Sequence, residues 1–322
     1  QWTLTLLILL NSRSFPGAWH WRVLWCVFKV RTKYAGAWVD TRSELHRSLQ
    51  ETRIMEMESW LASVTPIGEH PFEWEGRYDT WVGLDDSDFN MHMSNSSYPK
   101  ILDFARTKAS LELFPHFLRV GGHLALSSTH FNFIREIPLF TRYQLRLSIG
   151  AWDEKWCYMI SHFVTKKHNR SAHSESVPSP RILLNDHCLP LALYHDLDGL
   201  TLHTIAVSRI CFKVGRITVP PAVVFTTNGM SVEPRELIKM KEFTRSNPPP
   251  SWLHHARQLI VKTHGGSEGK LREFYRGGWR KVGRLKWWER AMGVDGPTDE
   301  KRKDRLEICR MLVGGMEGVR DI

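Results

Sequence analysis

Cysteine is scarce and never clustered in this chain. The five cysteines, Cys26, Cys157, Cys188, Cys211 and Cys309, are odd in number and widely spaced, with no C-x-x-C pair. That pattern fits neither a disulfide framework nor a zinc site and implies a reducing compartment. An intracellular location is therefore expected, cytoplasmic or peripherally membrane-associated. Long hydrophobic runs are lacking as well. Trp2 to Leu10 is largely apolar, but Asn11-Ser12-Arg13-Ser14 interrupts it, well short of the roughly 20 residues a transmembrane helix needs. An initiator methionine is missing, the start expected of a fragment or an imperfect gene model. No G-x-S-x-G elbow occurs, which argues against a serine hydrolase of the α/β class, and no internal repeat is visible. Acidic residues are in deficit: 34 Asp and Glu against 44 Lys and Arg leave a net charge of +10. An anionic partner is favoured, whether nucleic acid, an acidic membrane surface or a nucleotide-bearing small molecule. What remains is 42% hydrophobic and 24% charged over 322 residues, the composition of a globular protein whose core needs neither disulfide nor metal.

Trp19 to Arg31 interleaves tryptophans with basic residues. An interfacial membrane helix has this character, and so does an arm packed on its own domain. From Arg77 the pattern changes to strands around one helix. Arg77 to Leu84 reads as a strand. Ser94 to Ser97 supplies N-cap candidates, and Tyr98, Ile101, Leu102, Ala105 and Ala109 then recur at helical spacing before Pro115. Leu124 to Ile134 is strand-like. Thr141 to Trp152 alternates Tyr143, Leu145, Leu147 and Ile149 with Arg142, Gln144, Arg146 and Ser148, which predicts one core face and one wet face. Asp153-Glu154-Lys155 turns the chain into Trp156 to Thr165, completing an antiparallel hairpin. Lys167 to Gly199 breaks the rhythm with Ser, His and Pro and reads as an inserted loop or an unremoved intervening sequence. Strand character returns at Leu202 to Val214 and, after Pro220-Pro221, at Ala222 to Thr226. From about Glu233 the chain is charged and helical, with a linker at Asn247 to Pro250 and a polar helix bearing a thin apolar stripe at Asp299 to Leu312.

The chemistry concentrates in Asp85 to Tyr98, which sets three carboxylates, an imidazole and an amide at the junction of a strand and a buried helix. A helix N-terminus offers free N–H groups and the positive end of its dipole, so a substrate carbonyl placed there is polarised and its oxyanion stabilised. A nearby carboxylate can then attack that carbonyl or activate water. The same residues also suit plain turns and a helix cap.

The segment D-x-D-x-N-x-H-M-x-N-x-x-Y, followed by an amphipathic helix, resembles the hot-dog thioesterase superfamily, and most of all the eukaryotic group around thioesterase superfamily member six and its fungal relatives. The likeness extends to Phe15 to His20, Pro99 to Arg106, Cys211 to Arg216, Thr218 to Pro221 and Phe274 to Arg280. The resemblance implies an α+β fold: an antiparallel β-sheet wrapped around a long central α-helix, with N- and C-terminal helical extensions, paired into a homodimer with active sites at the interface. It implies an apolar and basic arm over residues 1–70, the hot-dog domain over 71–230 with an insertion at about 167–199, and a charged helical extension over 231–322. Counting back from Tyr98, it places the catalytic carboxylate on Asp88, with His92 and Asn95 beside it in positioning roles and Ser94, Ser96, Ser97 and Tyr98 lining the substrate at the helix start. Asp86 is expected to be a structural turn residue. Where many relatives have G-H-x-N-N, this chain has Met91-His92-Met93-Ser94-Asn95, so a glycine that lets backbone approach the carbonyl is lost.

The implied activity is hydrolysis of an acyl-CoA or other acyl thioester, with no cofactor and no metal. The alternative is a catalytically weak hot-dog protein that binds acyl chains or a membrane surface through the N-terminal arm. Weaker signals are set aside. His254-His255 has no ligand companions at metal spacing. Gly265 to Lys270 is one residue short of a phosphate loop and is followed by Leu271 in place of Ser/Thr. Arg276 to Arg280 lacks any RNA-binding module around it, so no nucleic-acid partner is expected. Asn95-Ser96-Ser97 and Asn169-Arg170-Ser171 match the glycosylation pattern by accident, given a reducing compartment.

Overall fold

The computed structural model describes residues 15–35, 47–167, 199–232, 243–283 and 286–314, with isolated positions before residue 15. Helices α1 (Ala18–Ala35) and α2 (Arg47–Val64) precede strand β1 (Glu75–Trp81), the central helix α3 (Ser97–Leu113) and a short α4 (Pro115–Arg119). Strands β2 (Gly122–Phe133), β3 (Arg142–Trp152), β4 (Cys157–Lys166), β5 (Leu200–Val214) and β6 (Ile217–Val219) follow, then helix α5 (Pro221–Thr227). The last long helix, α6, spans Pro297–Gly314. The sheet is antiparallel, in the order β1-β3-β4-β5-β2, with β6 also on β5.

Helix α3 forms where its apolar residues keep the helical period. Tyr98, Ile101, Leu102, Ala105, Ala109 and Leu113 are all buried, and Pro115, which has no N–H to give, starts a separate turn. Arg106 lies on the buried side too. Its guanidinium pairs with Asp103 and donates to Thr129 Oγ1 of β2 at 2.9 Å and Ser208 Oγ of β5 at 2.8 Å, tying the helix to the end of the sheet. The hairpin forms as predicted. Asp153 Oδ1 accepts from the backbone of Lys155 and Trp156 at 2.8 and 2.7 Å, so its own side chain builds the turn. The expected insertion lies almost entirely outside the described residues. Its ends meet: Lys166 pairs with Leu200, and Lys167 N–H donates to the Gly199 carbonyl at 2.9 Å.

Two expectations are corrected. The outer face of β3 is wet only at its start, because from Ser148 onward both faces are buried. Helix α6 causes this: its thin stripe of Leu306, Cys309 and Val313 packs on Ala151, Tyr158, Ile160, Ile205 and Val207 as a second core. Ala222 to Thr226 is not a strand but lies within helix α5. Its β-branched residues favour strands, but Pro221 fixes the first helical φ. The hydroxyls of Thr226 and Thr227 bond the carbonyls of Ala222 and Val223, four residues back, at 2.5 and 2.7 Å. Residues from both flanks join the main core, among them Ile67, Phe72, Trp252, Tyr275 and Trp288.

Candidate active site

Strand β1 ends at Trp81, and the chain passes through a single 3-10 turn, Leu84–Asp86, before the loop that enters α3. Asp86 closes this turn by accepting the Gly83 N–H at 3.4 Å. Lys100 of α3 reaches back to Asp85 and Asp86 at 3.3 Å each, and both carboxylates are sealed from solvent. Asp86 is thus a structural residue of the turn.

Residues 87 to 93 then form a small hairpin. Ser87 bridges Met93, Asp88 N–H donates to the His92 carbonyl at 3.0 Å and Met91 N–H to the Asp88 carbonyl at 3.1 Å. The β2–β3 connection clamps its other side, with Met93 N–H on the Ile137 carbonyl at 2.8 Å and Leu139 N–H on the Met91 carbonyl at 2.9 Å. Met91 sits in the left-handed region at φ 64°, a conformation that suits glycine and costs other residues roughly 1–2 kcal/mol. The backbone shape that a glycine would favour is therefore kept without the glycine.

Within this frame Asp88 and His92 come together. Asp88 Oδ1 accepts the Asn90 N–H at 2.9 Å, while Oδ2 lies 3.4 Å from His92 Nδ1. The other imidazole nitrogen, Nε2, lies 3.2 Å from Glu136 Oε1. Both Asp88 and His92 keep solvent access, at 28% and 20% side-chain exposure, so water or a substrate can reach them. Around them stand exposed Phe89, Met91 and Phe140, with Phe140 stacked on Trp81 at 6.2 Å.

The remaining expected residues divide by burial. Asn95 and Ser96 are exposed on the approach to α3, and Ser94 Oγ bonds Ser96 Oγ at 2.9 Å. Neither of these hydroxyls caps the helix; Ser96 is its N-cap residue but has no side-chain bond to the first turn. Ser97 and Tyr98 are buried. The Tyr98 ring meets Phe133 and Phe163 edge-on at 5.0 and 4.9 Å. Burial pushes its phenol above the ordinary range, with the Thr204 hydroxyl opposing.

Glu136 is the site residue that the sequence did not point to, together with its support, His203. His203 Nδ1 donates to the Glu136 carbonyl at 2.9 Å, and its Nε2 accepts from Thr165 Oγ1 at 2.9 Å. Burial holds this imidazole below its ordinary range, consistent with the neutral form. No local spacing could pair Glu136 with His92, because the two meet only through the fold. Among the described residues no group of three or more His, Cys, Asp or Glu is placed to hold a metal ion. His255 of the His254-His255 pair is stacked on Trp287 at 5.1 Å.

A carboxylate held at one oxygen by a backbone N–H and facing an imidazole at the other, on the loop into a long helix, is equipped to deprotonate water or to attack an acyl carbon. Several known proteins similar to this chain are thioesterases by name. Residues 82–179 match the family described as the thioesterase-like superfamily. Thioesterase lcsJ of Purpureocillium lilacinum is 26% identical over 245 residues, covering 70% of this chain and 69% of that protein. The probable thioesterase atnL of Emericella nidulans is 24% identical over 293 residues, covering 81% of this chain and 83% of its own length. Protein THEM6 of Danio rerio is 34% identical over 94 residues, which is 26% of this chain and 43% of that protein. With a central helix against an antiparallel sheet, the chain has the α+β hot-dog architecture, and its loop, central helix and hairpin are similar to the thioesterase-like superfamily over residues 82–179.

Proposed function

We propose that the chain hydrolyses an acyl thioester, with acyl-CoA as the substrate class, and that Asp88 is its base or nucleophile. The observation that carries this reading is the Asp88 carboxylate, anchored by Asn90 N–H and facing His92 on the loop into α3. The thioester carbonyl would lie at the start of α3, where the helix dipole and the N–H groups around Asn95 to Tyr98, other than that of Ser97, which the Ser94 carbonyl holds at 2.9 Å, receive the developing oxyanion. As base, Asp88 takes a proton from water while the water oxygen attacks the carbonyl carbon; the C–S bond then breaks and the thiol leaves with that proton. As nucleophile, its oxygen attacks the carbonyl carbon, the C–S bond breaks and the thiolate leaves; water then opens the acyl anhydride, restoring the Asp88 carboxylate, releasing the acid and supplying the proton that the thiolate takes up. Both routes use the same residue in the same place. The positive net charge favours encounter with the phosphates of coenzyme A. Thioesterase relatives that align over most of their own length support the reaction class.

A homodimer belongs to the same proposal. Among the described residues strand β2 pairs only with β5, which leaves a 12-residue edge with Leu126 and Phe133 exposed. An unpaired edge of this length, with unsatisfied backbone groups, demands cover, and pairing β2 with its copy across a two-fold axis supplies it.

The second reading, a hot-dog protein that binds acyl chains without turning them over, is favoured by one observation: the exposed Met91 side chain stands at the loop tip, where a glycine would leave the backbone open to the substrate carbonyl. Hydrolysis of a panel of acyl-CoA thioesters by the full chain and by Asp88→Ala separates the two. The hydrolase reading expects turnover that falls at least about 10²-fold in the variant, the usual contribution of an acid–base group. Acyl-CoA binding with no turnover by either protein would select the second reading.

A further inference from the structure

Helix α1 has two opposite faces, and among the described residues only one has a partner. On the inner face, Trp19 Nε1 donates to the Lys100 carbonyl at 3.2 Å, the Arg22 guanidinium bonds the Tyr78 hydroxyl and lies 5.1 Å over the Phe104 ring. On the outer face stand Trp21, Leu24, Trp25 and Phe28, exposed at 66%, 57%, 40% and 53%. These four fall within roughly 100° of arc at the helical period. Their rings form a ladder, with Trp21 on Trp25 at 5.6 Å and Trp25 on Phe28 at 5.7 Å, and Lys29 Nζ flanks it 5.5 Å over Trp25. Phe15, just before the helix, is 49% exposed.

We infer that this outer face is an interfacial membrane anchor that seats the protein on an anionic bilayer. Two observations select lipid over a protein partner. The 18 residues of α1, AWHWRVLWCVFKVRTKYA, hold four Lys or Arg and no Asp or Glu, so the helix complements an acidic surface. Its exposed apolar residues are chiefly Trp and Phe, side chains that prefer the headgroup boundary because their rings are amphipathic or polarisable. No helix among the described residues is long and apolar enough to cross a membrane, and the anchor inferred here is one laid in the plane of the interface. The seat also bears on the loop described above. The Lys100 carbonyl that holds Trp19 belongs to the residue whose ammonium holds Asp85 and Asp86. An α1 laid on lipid therefore sets the base of the Asp88 loop one helix away from the bilayer.

Membrane binding is read without substrate, so it stands or falls independently of hydrolysis. The experiment is flotation of the full chain with phosphatidylcholine vesicles, with and without phosphatidylserine, beside a Trp21→Ser/Trp25→Ser/Phe28→Ser variant and a separate Lys29→Glu variant. The wild type is expected to float with the phosphatidylserine vesicles, and less as salt is raised. The triple variant should lose about tenfold or more of its partitioning, as befits three apolar side chains kept in water. Its unfolding midpoint should be unchanged, because the replaced side chains are exposed. Lys29→Glu should weaken binding to the anionic vesicles alone. Equal flotation of wild type and triple variant overturns the inference, as does a wild type that stays unbound at every composition. A triple variant that changes oligomeric mass while floating like wild type also overturns it, and makes the face a protein contact.

Discussion

The turn at 84–86 and the loop at 87–93 use the same residue type for opposite ends. Asp85 and Asp86 are sealed from solvent and share one lysine, whereas Asp88, two positions on, keeps solvent access and faces an imidazole. Histidines divide in the same way. His116 is fully buried, with Nε2 3.1 Å from Thr65 Oγ1, and burial pushes its pKa down to about 3; His92 stands between two carboxylates at the surface of the loop. Burial turns a titratable group into a fixed part of the framework, and partial exposure beside a partner leaves it able to react.

The largest effect should come from His116. Its imidazole takes up a proton near 6.5 in the unfolded chain but only at about 3 in the fold. Between those values the unfolded state binds more protons, so stability falls as the pH drops, by up to about 1.4 kcal/mol per pH unit, and no further below the lower value. Unfolding measured against pH should show a flatter acid limb in His116→Gln than in wild type. Parallel limbs would remove His116 from the account. Next is Asp86→Ala, which leaves Lys100 and Asp85 without their third member; about 2–3 kcal/mol of stability should be lost. Denaturant titration reads this, and a loss of activity at unchanged stability would reverse the roles assigned to Asp86 and Asp88.

Met91→Gly should stabilise the protein by about 1 kcal/mol, since it relieves the positive φ at an exposed side chain. Destabilisation would show that the Met91 side chain matters more than its backbone. The smallest effect is expected from Glu136→Ala. Its carboxylate is 74% exposed, and an exposed ion pair contributes about 1 kcal/mol or less, so kcat should fall by no more than about fivefold with KM unchanged. The fall should vanish in a His92→Ala background, because Glu136 acts through that imidazole; an equal fall in both backgrounds would contradict the pairing.

Legibility in the sequence followed range. The inner face of β3 was readable because Tyr143, Leu145, Leu147 and Ile149 alternate within one strand, and α3 because its apolar residues repeat within one helix. The nearness of Asp88 and His92 was readable because they share one short loop, whereas singling them out among its polar residues rested on the family resemblance. The outer face of the sheet was not, since its cover, Leu306, Cys309 and Val313, arrives from the far end of the chain. Glu136 and His203 were missed for the same reason: their meeting depends on the β2–β3 connection folding over the loop and on β5 passing beneath it. Helix α5 failed differently. Its local composition favours strand, and the hydroxyl bonds of Thr226 and Thr227 that fit those residues to a helix leave no pattern in the sequence.

The most direct test of the central claim is single-turnover hydrolysis of acyl-CoA by the full chain and by Asp88→Asn, with binding of a non-hydrolysable acyl-CoA analogue measured on both. The exchange removes the charge and keeps the shape. The account predicts analogue binding within about threefold of wild type and a turnover rate lower by at least about 10²-fold. Turnover that survives in Asp88→Asn would contradict it.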